Sequence, residues 1–174
     1  MKEIEVKILE IDPEAIKKKL QELGAEKVFA GEMTSFAFDY PDGRIIAKGE
    51  LLRLRQEGDK AVLCYKSDAA TGLDYKVMEE IKTEVSDFNS MQKILEKAGL
   101  RKVRDYSKKR ESYQIDNIRF EIDVYPGIPA LVEVEAPTKQ DVEKGVGLLG
   151  FSMEDSCTLN THELFKKYKG DANE

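Results

Sequence analysis

The chain begins "MKEIEVKILE" (residues 1–10), and the alternation inside it decides how the rest is read. Successive side chains of a strand point to opposite sides. Ile4, Val6 and Ile8 therefore share one face, and Glu3, Glu5 and Lys7 share the other. One face is fit for a core. The other is wholly ionic, and is either a wet surface or the lining of a charged site.

The same split recurs along the chain. Arg53 and Arg55 alternate with Leu52 and Leu54, and Lys66 follows Val62 and Cys64 on one face. Glu80 and Lys82 flank Ile81, and Lys108 and Arg110 share a face. Glu121 and Asp123 alternate with Phe120, Ile122 and Val124, and Glu133 and Glu135 with Val132 and Val134. A single strand of this kind is most simply one strand of an open sheet, wet on one side. The set argues for more. Solvated faces usually mix Thr, Ser, Gln and Lys, whereas these positions are almost all formal charges, sorted by sign along the strands. Like charges two residues apart repel unless an opposite charge sits between them. Paired basic residues suit a multivalent anion, and paired carboxylates suit a hard divalent cation with oxygen ligands.

The other elements follow from local signals. Asp12-Pro13 starts a helix as N-cap and first-turn proline, with Ala15, Ile16, Leu20 and Leu23 on its stripe and Gly24 as its stop. Residues 25–40 read as extended, 41–49 as turn and loop, and 51–57 with 60–67 as a hairpin across Gly58-Asp59. Residues 68–74 read as a polar loop before a strand over 76–85. Asp87 caps a second helix that stops at Gly99, and two strands turn at Asp116-Asn117. A turn at Pro126-Gly127 precedes a strand over 130–136, and helices follow from Thr138 and near 158–168. The sum is about eight strands and four helices in one domain over residues 1–170.

An offset of 75 residues relates two stretches. It matches Glu5 to Glu80, Lys7 to Lys82, Asp12 to Asp87, Leu20 to Leu95, Gly24 to Gly99 and Lys27-Val28 to Lys102-Val103. Two related strand–helix–strand halves can face each other and close a barrel.

Composition bounds the function. The 174 residues are 36% charged, with net charge −6 and a sequence pI near 5.1, which argues against a nucleic-acid partner. Cys64 and Cys157 show no zinc-like spacing or disulfide framework. No apolar leader or run of transmembrane length is read, so a cytoplasmic protein with no membrane partner is expected. The lone His162, beside Glu163, reads as a surface residue.

Taken in order, these motifs resemble the CYTH superfamily, the triphosphate tunnel metalloenzymes. That family includes class IV adenylyl cyclases, thiamine triphosphatases, inorganic triphosphatases and fungal RNA triphosphatases. "EIEVK" resembles its ExExK signature, "LRLR" (52–55) its arginine pair and "YKS" (65–67) its tunnel lysine. "EEIKTEVSD" (79–87) is similar to its mid-chain acidic strand, "KKR" (108–110) to its KxR element, and "EIDVYPGIPALVEVE" (121–135) to its Asp, turn and closing ExE. The resemblance spans essentially the whole chain. It departs at Ala37-Phe38-Asp39, where many relatives carry Tyr-Tyr-Asp or Tyr-Phe-Asp, and at Met78, Glu80 and Lys82, where Arg and two glutamates are common.

What the resemblance implies is an α+β fold, a closed eight-stranded antiparallel β-barrel tunnel with flanking helices. It implies chemistry on a small-molecule triphosphate with Mg²⁺ or Mn²⁺. Carried over by position, Glu3, Glu5, Glu133 and Glu135 would hold metal, assisted by Glu80 and Asp123. Arg53, Arg55, Lys66, Lys82, Lys108 and Arg110 would bind phosphate oxygens. Lys7 would contact phosphate or orient the attacking water. Hydrolysis of the triphosphate is the first expectation, since it demands least of the site. Class IV-type cyclisation of ATP to cyclic AMP and a non-catalytic polyphosphate- or nucleotide-binding module are the alternatives. The oligomeric state stays open, a homodimer included.

Overall fold

The computed structural model of the chain describes residues 2–72 and 75–170, with side chains for residues 4–67 and 79–170. The fold is α+β. One antiparallel sheet is built from β1 (Lys2–Leu9), β2 (Glu26–Asp39), β3 (Leu51–Glu57), β4 (Lys60–Gly72), β5 (Tyr75–Val85), β6 (Arg101–Ile115), β7 (Ile118–Val124), β8 (Leu131–Ala136) and β9 (Ser156–Cys157). Four helices accompany it: α1 (Pro13–Glu22), α2 (Phe88–Lys97), α3 (Lys139–Leu149) and α4 (Thr161–Lys169). The strand order is β5-β4-β3-β2-β6-β7-β8-β1-β9, with a further pairing of β5 with β1.

The offset of 75 holds in structure. Helix α1 maps onto α2 end to end (13→88, 22→97), and the start of β2 onto that of β6 (26→101). The local chemistry repeats with it. Asp12 accepts from the backbone N–H groups of Glu14 and Ala15, and Asp87 from that of Ser90. Gly24 and Gly99 take φ of +74° and +92°, a left-handed conformation that glycine adopts without a Cβ clash. The N–H donors of Ala25 and Leu100 then reach back to the carbonyls of Leu20 and Leu95.

Two expectations are corrected. Residues 68–72 are not loop but the end of β4, and β5 begins at Tyr75. A polar stretch stays extended when its ladder partner continues beside it, because strand propensity is set largely by context. The short β9 was not foreseen; it pairs Cys157 with Lys7 and Ser156 with Ile8.

Contacts divide the chain into two compact units, one around Gly31–Thr71 and Val77–Lys108, the other around Ile4–Ala30 and Lys109–Glu174. Each has its own core. In the first, Phe38, Leu54 and Leu95 are buried, with Phe36, Leu52, Leu63, Phe88, Met91 and Leu100 packed on them. Helix α2 thus covers the even-numbered face of β3. In the second, Val6, Ile8, Phe120, Ile122, Val132 and Val134 meet Ile16 and Leu20 of α1 and Val142, Val146 and Leu149 of α3. Helix α3 lies close enough that a Cβ on Gly145 would stand 2.7 Å from Val134 and 2.8 Å from Ile118. Both cores use the apolar faces read from the sequence, so the ionic faces are turned away from the helices. Among the described residues, no helix is long and apolar enough to cross a membrane.

Candidate functional site

In the first unit, strand register gathers the basic residues. Arg53 stands opposite Cys64, Arg55 opposite Val62, and Leu51 opposite Lys66, so the three cations share one face of β3 and β4. Glu80 of β5 joins them, its carboxylate 2.9 Å from Lys66 Nζ and accepting from Cys64 Sγ at 3.1 Å. Burial, opposed by Arg53 and reinforced by Glu80, pushes the Cys64 thiol up to about 11. It is a protonated donor rather than a thiolate nucleophile. Arg55 pairs with Glu57 through Nη2. Among the described residues, Arg53 Nε is buried with no hydrogen-bond partner. A buried guanidinium N–H left unmatched is costly, and a polyanion entering this face would match it. Lys82 is exposed, and Lys108 is half-buried.

The second unit carries the acidic residues. Glu5 stands opposite Glu135, and Lys7 opposite Glu133. Glu121 is opposite Glu133, and Arg110 is opposite Asp123. Four neighbouring strands therefore turn their acids and three cations, Lys7, Arg110 and Arg119, to one face. Arg110, only 6% exposed, is held by three carboxylates. Its Nε and Nη2 donate to Asp123 at 2.6 and 2.5 Å, its Nη2 also to Glu133 at 2.7 Å, and its Nη1 to Glu121. Lys7, 3% exposed, lies 3.2 Å from both Glu5 and Glu133. Burial works against both charged forms, yet the surrounding carboxylates outweigh it and hold both cations well above their ordinary pKa values. Ser112 and Arg119 complete the setting of Glu121, at 3.4 and 3.0 Å.

Most of the residues expected from sequence thus fall on two ionic faces, one in each unit: Arg53, Arg55, Lys66 and Glu80 on the first, and Glu5, Lys7, Arg110, Asp123, Glu133 and Glu135 on the second. The side chain of Glu3 lies outside the described residues. Glu121 completes the cage around Arg110 but was noted in the sequence only as a neighbour of Asp123, two positions away. Tyr113 is buried and donates to Glu111 at 3.1 Å.

The acidic face fits a divalent cation by donor type, since its acids offer only hard oxygen ligands. Among the described residues, no three His, Cys, Asp or Glu side chains are gathered in a metal-holding arrangement. In the second unit, Arg110 and Lys7 stand between the carboxylates and take up their oxygens.

The comparisons agree with this architecture. The family model described as CYTH domain matches residues 1–147. The chain is similar in structure to the PH1012 protein of Pyrococcus horikoshii OT3 (24% identity, TM-score 0.80, covering 93% of this chain and 98% of that one). It is also similar to a candidate adenylate cyclase from Vibrio parahaemolyticus (16% identity, TM-score 0.84, covering 94% and 97%). A third similar structure is HpAC1 from Hippeastrum, a candidate adenylyl cyclase described with a dominant triphosphatase activity (17% identity, TM-score 0.66, covering 95% of each chain). No curated protein matches the chain. With most of its length matched by that model and its strands laid out as described, this chain belongs to the CYTH domain family.

Proposed function

We propose that the protein is a divalent-metal-dependent phosphohydrolase acting on a triphosphate: inorganic triphosphate, thiamine triphosphate or a nucleotide. The observation that carries this reading is the sorting of charge. One face presents Arg53, Arg55 and Lys66, with an unmatched buried N–H on Arg53. The other presents Glu5, Asp123, Glu133 and Glu135 around Lys7 and Arg110. A triphosphate complexed with Mg²⁺ or Mn²⁺ is a ligand that needs both kinds of face. The same reading takes the sheet as a closed barrel around that ligand.

Phosphoryl transfer asks for in-line positioning and neutralisation of charge more than for covalent help. Arg53 and Arg55 suit paired contact with phosphate oxygens, and Lys66 and Lys82 act as mobile point charges. Lys108 would supply a further cation for phosphate oxygens. Glu3, Glu5, Glu133 and Glu135 would hold the metal, with Glu80 and Asp123 assisting. When bound, the metal would supply charge neutralisation and a more acidic attacking water. Lys7, already cationic and buried, would orient that water or hold a phosphate oxygen. Water adds to the terminal phosphorus, its bridging P–O bond breaks, and the water proton leaves to solvent.

Glu135→Gln and Arg55→Ala are each expected to abolish turnover of triphosphate while leaving the far-UV circular dichroism unchanged. Full activity in either variant sinks the site assignment.

A further inference from the structure

On the ionic face of the first unit, one contact joins a neutral donor to an acid. Cys64, 2% exposed, donates from Sγ to Glu80 Oε1 at 3.1 Å. The other oxygen of that carboxylate, Oε2, lies 2.9 Å from Lys66 Nζ. Both partners are largely enclosed, the side chain of Glu80 being 6% exposed and that of Lys66 14%. Cys64 also stands directly opposite Arg53 in the pairing of β3 with β4. Arg53 Nε is buried and, among the described residues, has no hydrogen-bond partner. A nearly buried carboxylate and an unmatched buried guanidinium N–H thus share one face, and the thiol is in register with the arginine while bonded to the acid.

We propose that Cys64 is a positioning residue for polyphosphate binding, a step that rests on the function proposed above: its thiol ties Glu80 toward Lys66 and so keeps the Arg53 N–H for a phosphate oxygen. A guanidinium and a carboxylate on one enclosed face attract each other, and a charge-assisted pair of Arg53 with Glu80 would cancel the charge that an anion needs. The thiol stands in the way of that pair without adding a charge. It gives Oε1 a hydrogen bond from a weak, neutral donor, in place of one from the arginine. Alanine at this position removes the donor, and Glu80 then turns to Arg53. Serine keeps a donor at the same place. Cys64 touches no phosphate in this scheme and acts through Glu80.

The test is calorimetric titration of the full chain with inorganic tripolyphosphate in EDTA, where no turnover competes. Cys64→Ala is expected to weaken binding by about three- to tenfold, the worth of one hydrogen bond, and Cys64→Ser to stay within about twofold of wild type. In a Glu80→Gln background, Cys64→Ala is expected to change binding by less than about twofold, because no carboxylate is left to hold. Wild-type affinity in Cys64→Ala overturns the tie. So does binding by Cys64→Ser as weak as that of Cys64→Ala, the result of a thiol that only fills space, or an undiminished alanine effect in the Glu80→Gln background. A second readout decides the matter if Cys64→Ala fails to fold. The Cys64 S–H stretching band, isolated as the infrared difference from the matching Cys64→Ser protein, should move to higher frequency in Glu80→Gln as its acceptor weakens. An unmoved band overturns the tie. Each of these failures leaves the proposed function standing so long as wild type hydrolyses tripolyphosphate with Mn²⁺. Hydrolysis in Mn²⁺ with no wild-type binding in EDTA overturns the tie alone, and neither binding nor hydrolysis overturns both.

Discussion

The two units share one building plan and use it to opposite electrostatic ends. Each takes a strand, a capped helix with a glycine stop and a neighbouring hairpin, and each turns an ionic face away from its helices. In the first unit that face sets Arg53, Arg55 and Lys66 against Glu57 and Glu80. In the second it sets Glu5, Glu121, Asp123, Glu133 and Glu135 against Lys7, Arg110 and Arg119. The excess is positive in one and negative in the other. The helix-side core dictates which face is apolar. It leaves the sign of the other face free, so a duplicated frame can be specialised without disturbing its packing.

The difference extends to how the charges are satisfied. Arg110 is fully engaged by carboxylates, whereas Arg53 keeps a buried N–H without a partner among the described residues. Removing each arginine should therefore have unequal consequences. Arg110→Ala leaves buried Asp123 and Glu121 without the guanidinium they hold, and is expected to cost about 3–5 kcal/mol in urea unfolding. Arg53→Ala is expected to change stability by no more than about 1 kcal/mol, since it also removes an unsatisfied buried donor. Equal losses in the two variants would break the comparison.

A smaller contrast is set by Glu111, on the helix side of the second unit. It is held by Lys17 and Lys27, each at 2.5 Å, and by Tyr113. Burial alone would raise its carboxyl, but these partners outweigh it and bring it down to about 2 from an ordinary 4.5. A depressed carboxyl stabilises the fold above its unfolded pKa and loses that contribution as the pH falls toward its folded pKa. The melting temperature should therefore fall between pH 4.5 and 2 by more in wild type than in Glu111→Gln. Parallel acid limbs for the two proteins would remove this tie from the account.

The smallest effect tests the repeat itself. Asp12→Ala and Asp87→Ala each remove an N-cap at equivalent positions, and each is expected to lower the melting temperature by about 3 °C. Markedly different shifts would show that the two caps do not carry equivalent loads.

Much of this was readable from residues alone, because it depends on short-range rules. Period-two alternation separated Val6 and Ile8 from Glu5 and Lys7. Asp12, Asp87, Gly24 and Gly99 marked both helices, and the offset of 75 exposed the repeat. What depends on long-range register was not readable. Alternation places Arg110 on an ionic face, but only the pairing of β6 with β7 and β7 with β8 brings Asp123, Glu121 and Glu133 around it. The contact of Cys64 with Glu80 likewise joins residues on different strands. The two residues of β9 are too few to form a pattern, and their strand conformation comes from the partner β1.

The function proposed for the protein is triphosphate hydrolysis, and product identification tests that proposal most directly. Incubated with Mn²⁺ and either inorganic triphosphate or ATP, and followed by phosphorus NMR and chromatography, the protein is expected to release orthophosphate. Cyclic AMP from ATP as the main product would contradict hydrolysis as the primary role. Tight binding of triphosphates with no product from any of them would contradict it as well, and leave a binding module.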